Sequence, residues 1–237
     1  MHMDRRQFVK NLGLGTASLS MGSLVTASSC APSGDSSLKQ NVKEGEDGQF
    51  LFIGDDIAIA QTEYGKVQGY LLNHVYTFLG VPYGADTSGK NRFMPPQKPE
   101  PWTDVRPAVF YGNTAPQRME NRWPNNYGTF ADHWNYWDVS EDCLYLNVWT
   151  PGIADGKKRP VLVWLHGGGF TNGSGIEQDG YHGENISREG DIVFCSINHR
   201  LGPIGFSDLS GVGGEAYKDS GNVGMFCLLY TSDAADD

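Results

Sequence analysis

Five residues, His166-Gly167-Gly168-Gly169-Phe170, close an apolar run that extends from Val161 to Leu165. Successive glycines let the main chain approach another group closely and adopt positive φ at little steric cost. Backbone of that kind presents N–H donors, and a preorganised set of such donors is the strongest protein response to the oxyanion of a tetrahedral acyl intermediate. A glycine triplet alone describes many mobile turns; its place at the end of a buried strand strengthens the reading of the loop as a source of such donors. The nucleophile that would use them is harder to find. No serine has glycine both two residues before and two residues after it: Ser174 is flanked by Asn172 and Ile176, and Ser207 by Gly205 and Leu209. His74, His133 and His182 fall in turn-like or loop sequence. No His-x-x-x-His or Cys-x-x-Cys spacing occurs, so neither a metal nor a cofactor is expected.

The elements that must position the glycine loop follow from hydrophobic pattern. Alternating runs broken at Tyr64-Gly65 and Asn73-His74 predict a β-meander, with strands over 57–62, 66–72 and 75–79. The proline-rich "FMPPQKPEPW" fits neither a helix interior nor a central strand. Residues 112–139 form a long, aromatic-laden irregular stretch. Beyond it, "CLYLNVWT" alternates as a strand, whereas "PVLVWL" and "DIVFCSIN" are continuous apolar runs of the kind buried on both faces of a sheet. Between the last two, the polar "GIEQDGYHGENISREG" has room for one or two helical turns around Gly183 to Arg188. The pattern is that of an α/β sheet entered through an antiparallel meander.

Composition bounds the rest. The 237 residues are 39% hydrophobic and 19% charged, as in an ordinary globular protein, and the net charge of −10 argues against nucleic acid as a partner. Residues 1–30 carry adjacent Arg5 and Arg6 ahead of a weakly apolar run to Ala27, resembling a bacterial twin-arginine signal peptide and implying export. Cys30 follows small residues, so the sequence leaves open either lipid attachment there or cleavage and release; contact with a membrane is expected only through the signal or that anchor. Residues 31–50 read as a flexible linker. The last eleven residues, "CLLYTSDAADD", resemble a translated sequencing adapter, so 227–237 is read as a non-native tail. Cys195 lies in an apolar run as a small buried thiol.

Six ordered segments, "FLGVPYG", "RFMPPQKPEPW", "SEDCLYLNVWTP", "VLVWLHGGGF", "SINHRLGPIGF" and "SGNVGM", together resemble the N-terminal part of the type B carboxylesterases, the family that includes the cholinesterases. The resemblance covers roughly residues 57–226. It implies that 51–226 is the N-terminal part of an α/β-hydrolase domain, an antiparallel meander leading into a mixed, mostly parallel sheet that is incomplete here. It implies hydrolysis of a small-molecule ester by a serine nucleophile with His and acidic partners, and it assigns two oxyanion donors to Gly168 and Gly169. The same resemblance admits a non-catalytic cholinesterase-like binding or adhesion protein as the alternative. Arg92 and Glu141 would form a buried ion pair.

Three departures from the family pattern carry consequences. Ala115 stands where the family usually has a cysteine that pairs with the one in "SEDC", leaving Cys143 without that partner and the loop from 115 to 143 unstapled. In the family this loop walls one side of the active-site gorge, a role that would fall to Trp123, Trp134 and Trp137. Arg200 in "NHRLG" would lose its acidic partner, whose place is taken by Cys227. The nucleophile elbow lies a couple of dozen residues beyond "GNVGM" in the family, with the acid and His later still, so the chain is expected to be inactive by itself. The apolar faces of 161–165 and 192–197 are expected to be uncovered, which favours poor solubility.

Overall fold

Gly69 divides the run expected as one strand over 66–72 into two strands that belong to different sheets. In the computed structural model, which describes residues 50–117 and 138–233, β3 (Lys66–Gln68) pairs antiparallel with β2 (Ile59–Gln61) and parallel with β6 (Arg106–Pro107). Just past Gly69, β4 (Tyr70–Leu72) pairs with β1 (Leu51–Phe52) and with β5 (Val75–Pro82). A Cβ at position 69 would collide with the carbonyl of Thr77, while the Gly69 N–H donates to Ala58 O at 2.9 Å. Glycine is therefore required where the chain changes sheets. The break anticipated at Asn73-His74 is a tight two-residue turn: both residues have positive φ, 48° and 67°, as the hairpin between β4 and β5 demands.

The larger sheet has six strands in the order β1-β4-β5-β7-β9-β8, with β7 at Tyr145–Thr150, β8 at Val161–Leu165 and β9 at Val193–Ile197. Only β8 and β9 pair in parallel; the other four pairings are antiparallel. The sheet is thus mixed as expected, but the mostly parallel character is not carried by the described strands. Parallel pairing needs a crossover, and this one contains helix α1 (Glu184–Gly190), over the segment where one or two turns were expected. Arg159, just before β8, donates to Asp155 at 2.7 Å and to Asp191, just before β9, at 2.8 Å, tying the two strand entrances together.

Burial separates the two apolar runs. Phe194 packs with Val75, Leu79 and Trp149, while Cys195 and Ile197 pack with Leu144, Leu201 and Cys143, so β9 is buried. The expectation that 192–197 would be uncovered is therefore corrected: packed side chains cover the run. Val161 to Leu165 are all exposed, and β8 has β9 on one side and no strand on its other side among the described residues. Cys143, Cys195 and Cys227 are buried free thiols; Ala115 packs in the same cluster as Cys143.

The account of Gly69 is checked by substitution. Gly69→Ala should lower stability by about 3 kcal/mol in urea unfolding, since the colliding atom is backbone that cannot step aside. Gly180→Ala, at a position open to solvent, should leave stability within about 0.5 kcal/mol of the parent. Equal effects at the two positions would refute the crowding.

Candidate functional site

Strand β8 delivers the chain into the glycine loop, and the loop's shape follows from four positive φ values in its vicinity: Gly168 at 115°, Gly169 at 59°, Phe170 at 62° and Gly173 at 113°. Gly168 cannot be replaced without disturbance, because a Cβ there would run into the carbonyl of Asn172. That crowding comes from the loop's own turn: Gly168 O accepts the N–H groups of Thr171 at 3.1 Å and Asn172 at 3.3 Å, and the Thr171 hydroxyl at 2.9 Å. Phe170 holds a conformation unusual for a residue with a side chain. Its carbonyl accepts the Gly202 N–H at 2.7 Å and its ring packs on Phe206 at 5.2 Å, contacts that fix it there.

The N–H groups of Gly168 and Gly169 donate to no acceptor among the described residues, and the loop from Gly167 to Thr171 is exposed. Uncommitted N–H donors on a backbone that is otherwise pinned meet the requirement for stabilising an oxyanion without reorganisation.

What pins the loop comes largely from outside it. The Gln117 side chain makes two reciprocal bonds with Gly173: its Nε2 donates to Gly173 O at 2.9 Å, and Gly173 N–H donates to its Oε1 at 2.8 Å. Two residues on, Gly175 N–H donates to Asn198 Oδ1 at 2.8 Å, and Asn198 Nδ2 donates to Asn113 O at 3.0 Å. His166 stacks on His199 with ring centroids 4.9 Å apart and planes 16° from parallel. Burial depresses the His199 imidazole below its ordinary value, which favours the neutral form that can lie against a second imidazole. Sequence reading passed over Gln117 and Asn198 as functional residues. The signal was present at Asn198, a polar side chain immediately following a buried apolar run.

The remaining sequence-derived residues divide as follows. Arg92 Nε and Glu141 Oε2 do pair, at 2.7 Å, but the Arg92 side chain is 49% exposed and that of Glu141 22%. The expected buried ion pair is therefore corrected to a surface one; Arg92 follows a single 3₁₀ turn at Gly89–Asn91 that runs along the surface. Trp123, Trp134 and Trp137 lie outside the described residues. Arg200 is 1% exposed. Its guanidinium donates to Met94 O at 2.8 Å, Val223 O at 3.2 Å and Cys227 Sγ at 3.3 Å. No carboxylate pairs with it among the described residues. Burial raises the Cys227 thiol above its ordinary value, so Arg200 is met by neutral acceptors. A buried cation served only in this way is undercompensated.

A carboxylate at position 227 should repair that deficit. Cys227→Asp is expected to raise stability by about 3 kcal/mol in urea unfolding, and Cys227→Ser to leave it unchanged or lower. A loss of stability with aspartate would show that the neutral acceptors already satisfy Arg200.

The carboxylesterase family model matches residues 56–229. Among curated proteins, the phenmedipham hydrolase of Pseudarthrobacter oxydans is 45% identical over 157 residues, covering 66% of this chain and 30% of that protein. The para-nitrobenzyl esterase of Bacillus subtilis (strain 168) is 39% identical over 170 residues, covering 70% and 32% respectively. Among solved structures, an esterase from Clostridium hathewayi, described as hydrolysing aliphatic aromatic polyesters, superposes with a TM-score of 0.71 at 37% identity, over 80% of this chain and 36% of that one. The chain spans about a third of the length of these relatives.

Proposed function

The chain belongs to the carboxylesterase family, and from that premise we propose that it supplies the oxyanion-binding part of a serine enzyme that hydrolyses small-molecule carboxylic esters. The observation that carries this reading is the pair of uncommitted N–H groups on Gly168 and Gly169. Relatives named as esterases support a small ester as the substrate. In the proposed reaction a serine hydroxyl adds to the ester carbonyl while a histidine takes its proton. The carbonyl oxygen becomes an oxyanion that accepts from Gly168 and Gly169. Collapse of the adduct expels the alcohol, protonated by that histidine, and water then releases the acid from the acyl-enzyme. A third donor would come from the residue after the nucleophile.

The sequence contains no Gly-x-Ser-x-Gly elbow, so we assign the chain no turnover by itself. Purified chain should hydrolyse a short-chain nitrophenyl ester no faster than a heat-killed control; turnover above that control would overturn the assignment. In a whole protein that includes the elbow, Gly168→Ala should lower kcat about 10²–10³-fold with little change in KM, because the displaced loop withdraws a donor used in the transition state. Wild-type kcat in that variant would remove Gly168 from the oxyanion hole.

The N-terminal segment is proposed to direct export, with attachment to a membrane only through that signal or a lipid at Cys30. Replacing Arg5 and Arg6 by lysine should retain the protein in the bacterial cytoplasm; unchanged export on cell fractionation would refute the signal.

A further inference from the structure

Asn172-Gly173, inside the glycine loop, is the one Asn-Gly pair in the sequence. Asparagine is a thermolabile residue, and a following glycine opens a reaction of its own. The glycine nitrogen can attack the asparagine carboxamide carbon, because no Cβ shields that nitrogen and the glycine backbone turns freely. The structure treats the two reacting groups differently. The half-buried Asn172 carboxamide makes no hydrogen bond among the described residues, so nothing there holds its amine. The attacking nitrogen is engaged. Gly173 N–H donates to Gln117 Oε1 at 2.8 Å, and Gln117 Nε2 donates to Gly173 O at 2.9 Å.

That clamp opposes ring closure directly. Gly173 N–H lies in the peptide plane between residues 172 and 173, and Gly173 O lies in the next plane, so Gln117 holds both. Bringing the nitrogen to the carboxamide carbon requires the first plane to turn and the bond to Gln117 Oε1 to break. Asn172 is also restrained on its other side, where its N–H donates to Gly168 O at 3.3 Å. A free electrophile thus stands beside a nucleophile restrained by one side chain from elsewhere in the chain.

We propose that Asn172 is a modification site in the glycine loop, losing its carboxamide by intramolecular cyclisation, and that the Gln117 clamp sets the rate. Gly173 N gives up its proton and forms a bond to Asn172 Cγ; the Cγ–Nδ2 bond breaks, and ammonia leaves with a proton. Water then adds to either carbonyl of the cyclic imide and opens it to aspartate or isoaspartate. Asparagine and water become an acid and ammonia, with no oxidant and no cofactor. An ideal Cβ on Gly168 would lie 2.5 Å from Asn172 Oδ1 and would also meet Asn172 O, so either product sets a negative charge beside Gly168. Such a charge opposes a developing oxyanion. This consequence rests on the reading of Gly168 as an oxyanion donor; the conversion itself does not.

Mass spectrometry of the digested full chain, after incubation in mildly alkaline buffer, tests the proposal, with aspartate and isoaspartate peptides separated by chromatography. The chain unfolded in guanidinium chloride, where no clamp exists, gives the unrestrained rate at Asn172. The folded chain should convert about tenfold more slowly, the factor that one or two net hydrogen bonds supply. Gln117→Leu, which removes both amide partners, should approach the unfolded rate. Gln117→Glu still offers an oxygen to the Gly173 N–H and should stay near the folded parent. Equal rates in the folded and unfolded parent, or no conversion at Asn172 when unfolded, would overturn the proposal. So would a folded Gln117→Leu chain as slow as the parent, or a Gln117→Glu chain as fast as Gln117→Leu, which would mean general loosening. Protected amide exchange from Val193 to Ile197 shows that each variant is folded, and the comparison of folded with unfolded parent needs no variant. None of these rates involves the oxyanion reading, which the kcat of Gly168→Ala tests separately.

Discussion

Two amide N–H groups that donate to no acceptor among the described residues, in a loop anchored through Gly168 O, Gly173 and Gly175, are the feature that the surrounding residues serve. Gly168 and Gly169 are available because Gly168 O is saturated by the turn that follows it, and because Gln117 and Asn198 take up the backbone at Gly173 and Gly175. If the same loop were held by the N–H groups themselves, it would be ordered but useless for receiving a developing negative charge. Holding it from the carbonyl side and from outside keeps order and availability together. The His166–His199 stack contributes at the loop's entrance, and Phe170, in its strained conformation, at its exit. Backbone strain of this kind persists only where surrounding contacts overdetermine it.

The sheet explains why those anchors converge. Asn198 directly follows β9 and the glycine loop directly follows β8, so parallel pairing of these strands brings both ends to the same side. Arg159 fixes the opposite end by joining the approaches to both strands. Among the described strands β8 lies at the sheet edge, and its five apolar side chains are exposed, a recognised hazard for edge-to-edge association. The chain also spans only about a third of its relatives' length. The glycine loop thus follows the least covered strand of the sheet.

Periodicity and motif order made much of this legible, and the limits are physical. Val161 to Leu165 and Val193 to Ile197 announce themselves as strands by unbroken apolar sequence, but pattern does not say which is at an edge. Burial depends on what packs on the sheet's faces: alternate side chains of β9 enter two packed clusters, whereas those of β8 are exposed. The 66–72 run looks continuous because the strand period persists through Gly69; only the close approach of Thr77 reveals the change of sheet. Arg92 and Glu141 could be matched as partners from a family resemblance, yet their exposure is set by the path of the intervening chain. The clamp from Gln117 was illegible for a related reason: its partner is backbone 56 residues away, and backbone acceptors leave no mark in sequence.

Amide hydrogen exchange, resolved residue by residue across 166–175, tests the central claim most directly. The account predicts that Gly168 and Gly169 exchange near the rate of an unstructured chain, while Thr171, Asn172, Gly173 and Gly175 are protected by the bonds described above. Protection of Gly168 and Gly169 in the free chain would mean that their N–H groups are already taken. Uniformly fast exchange across the loop would mean that the anchors do not hold it, and either outcome would contradict a preorganised pair of oxyanion donors.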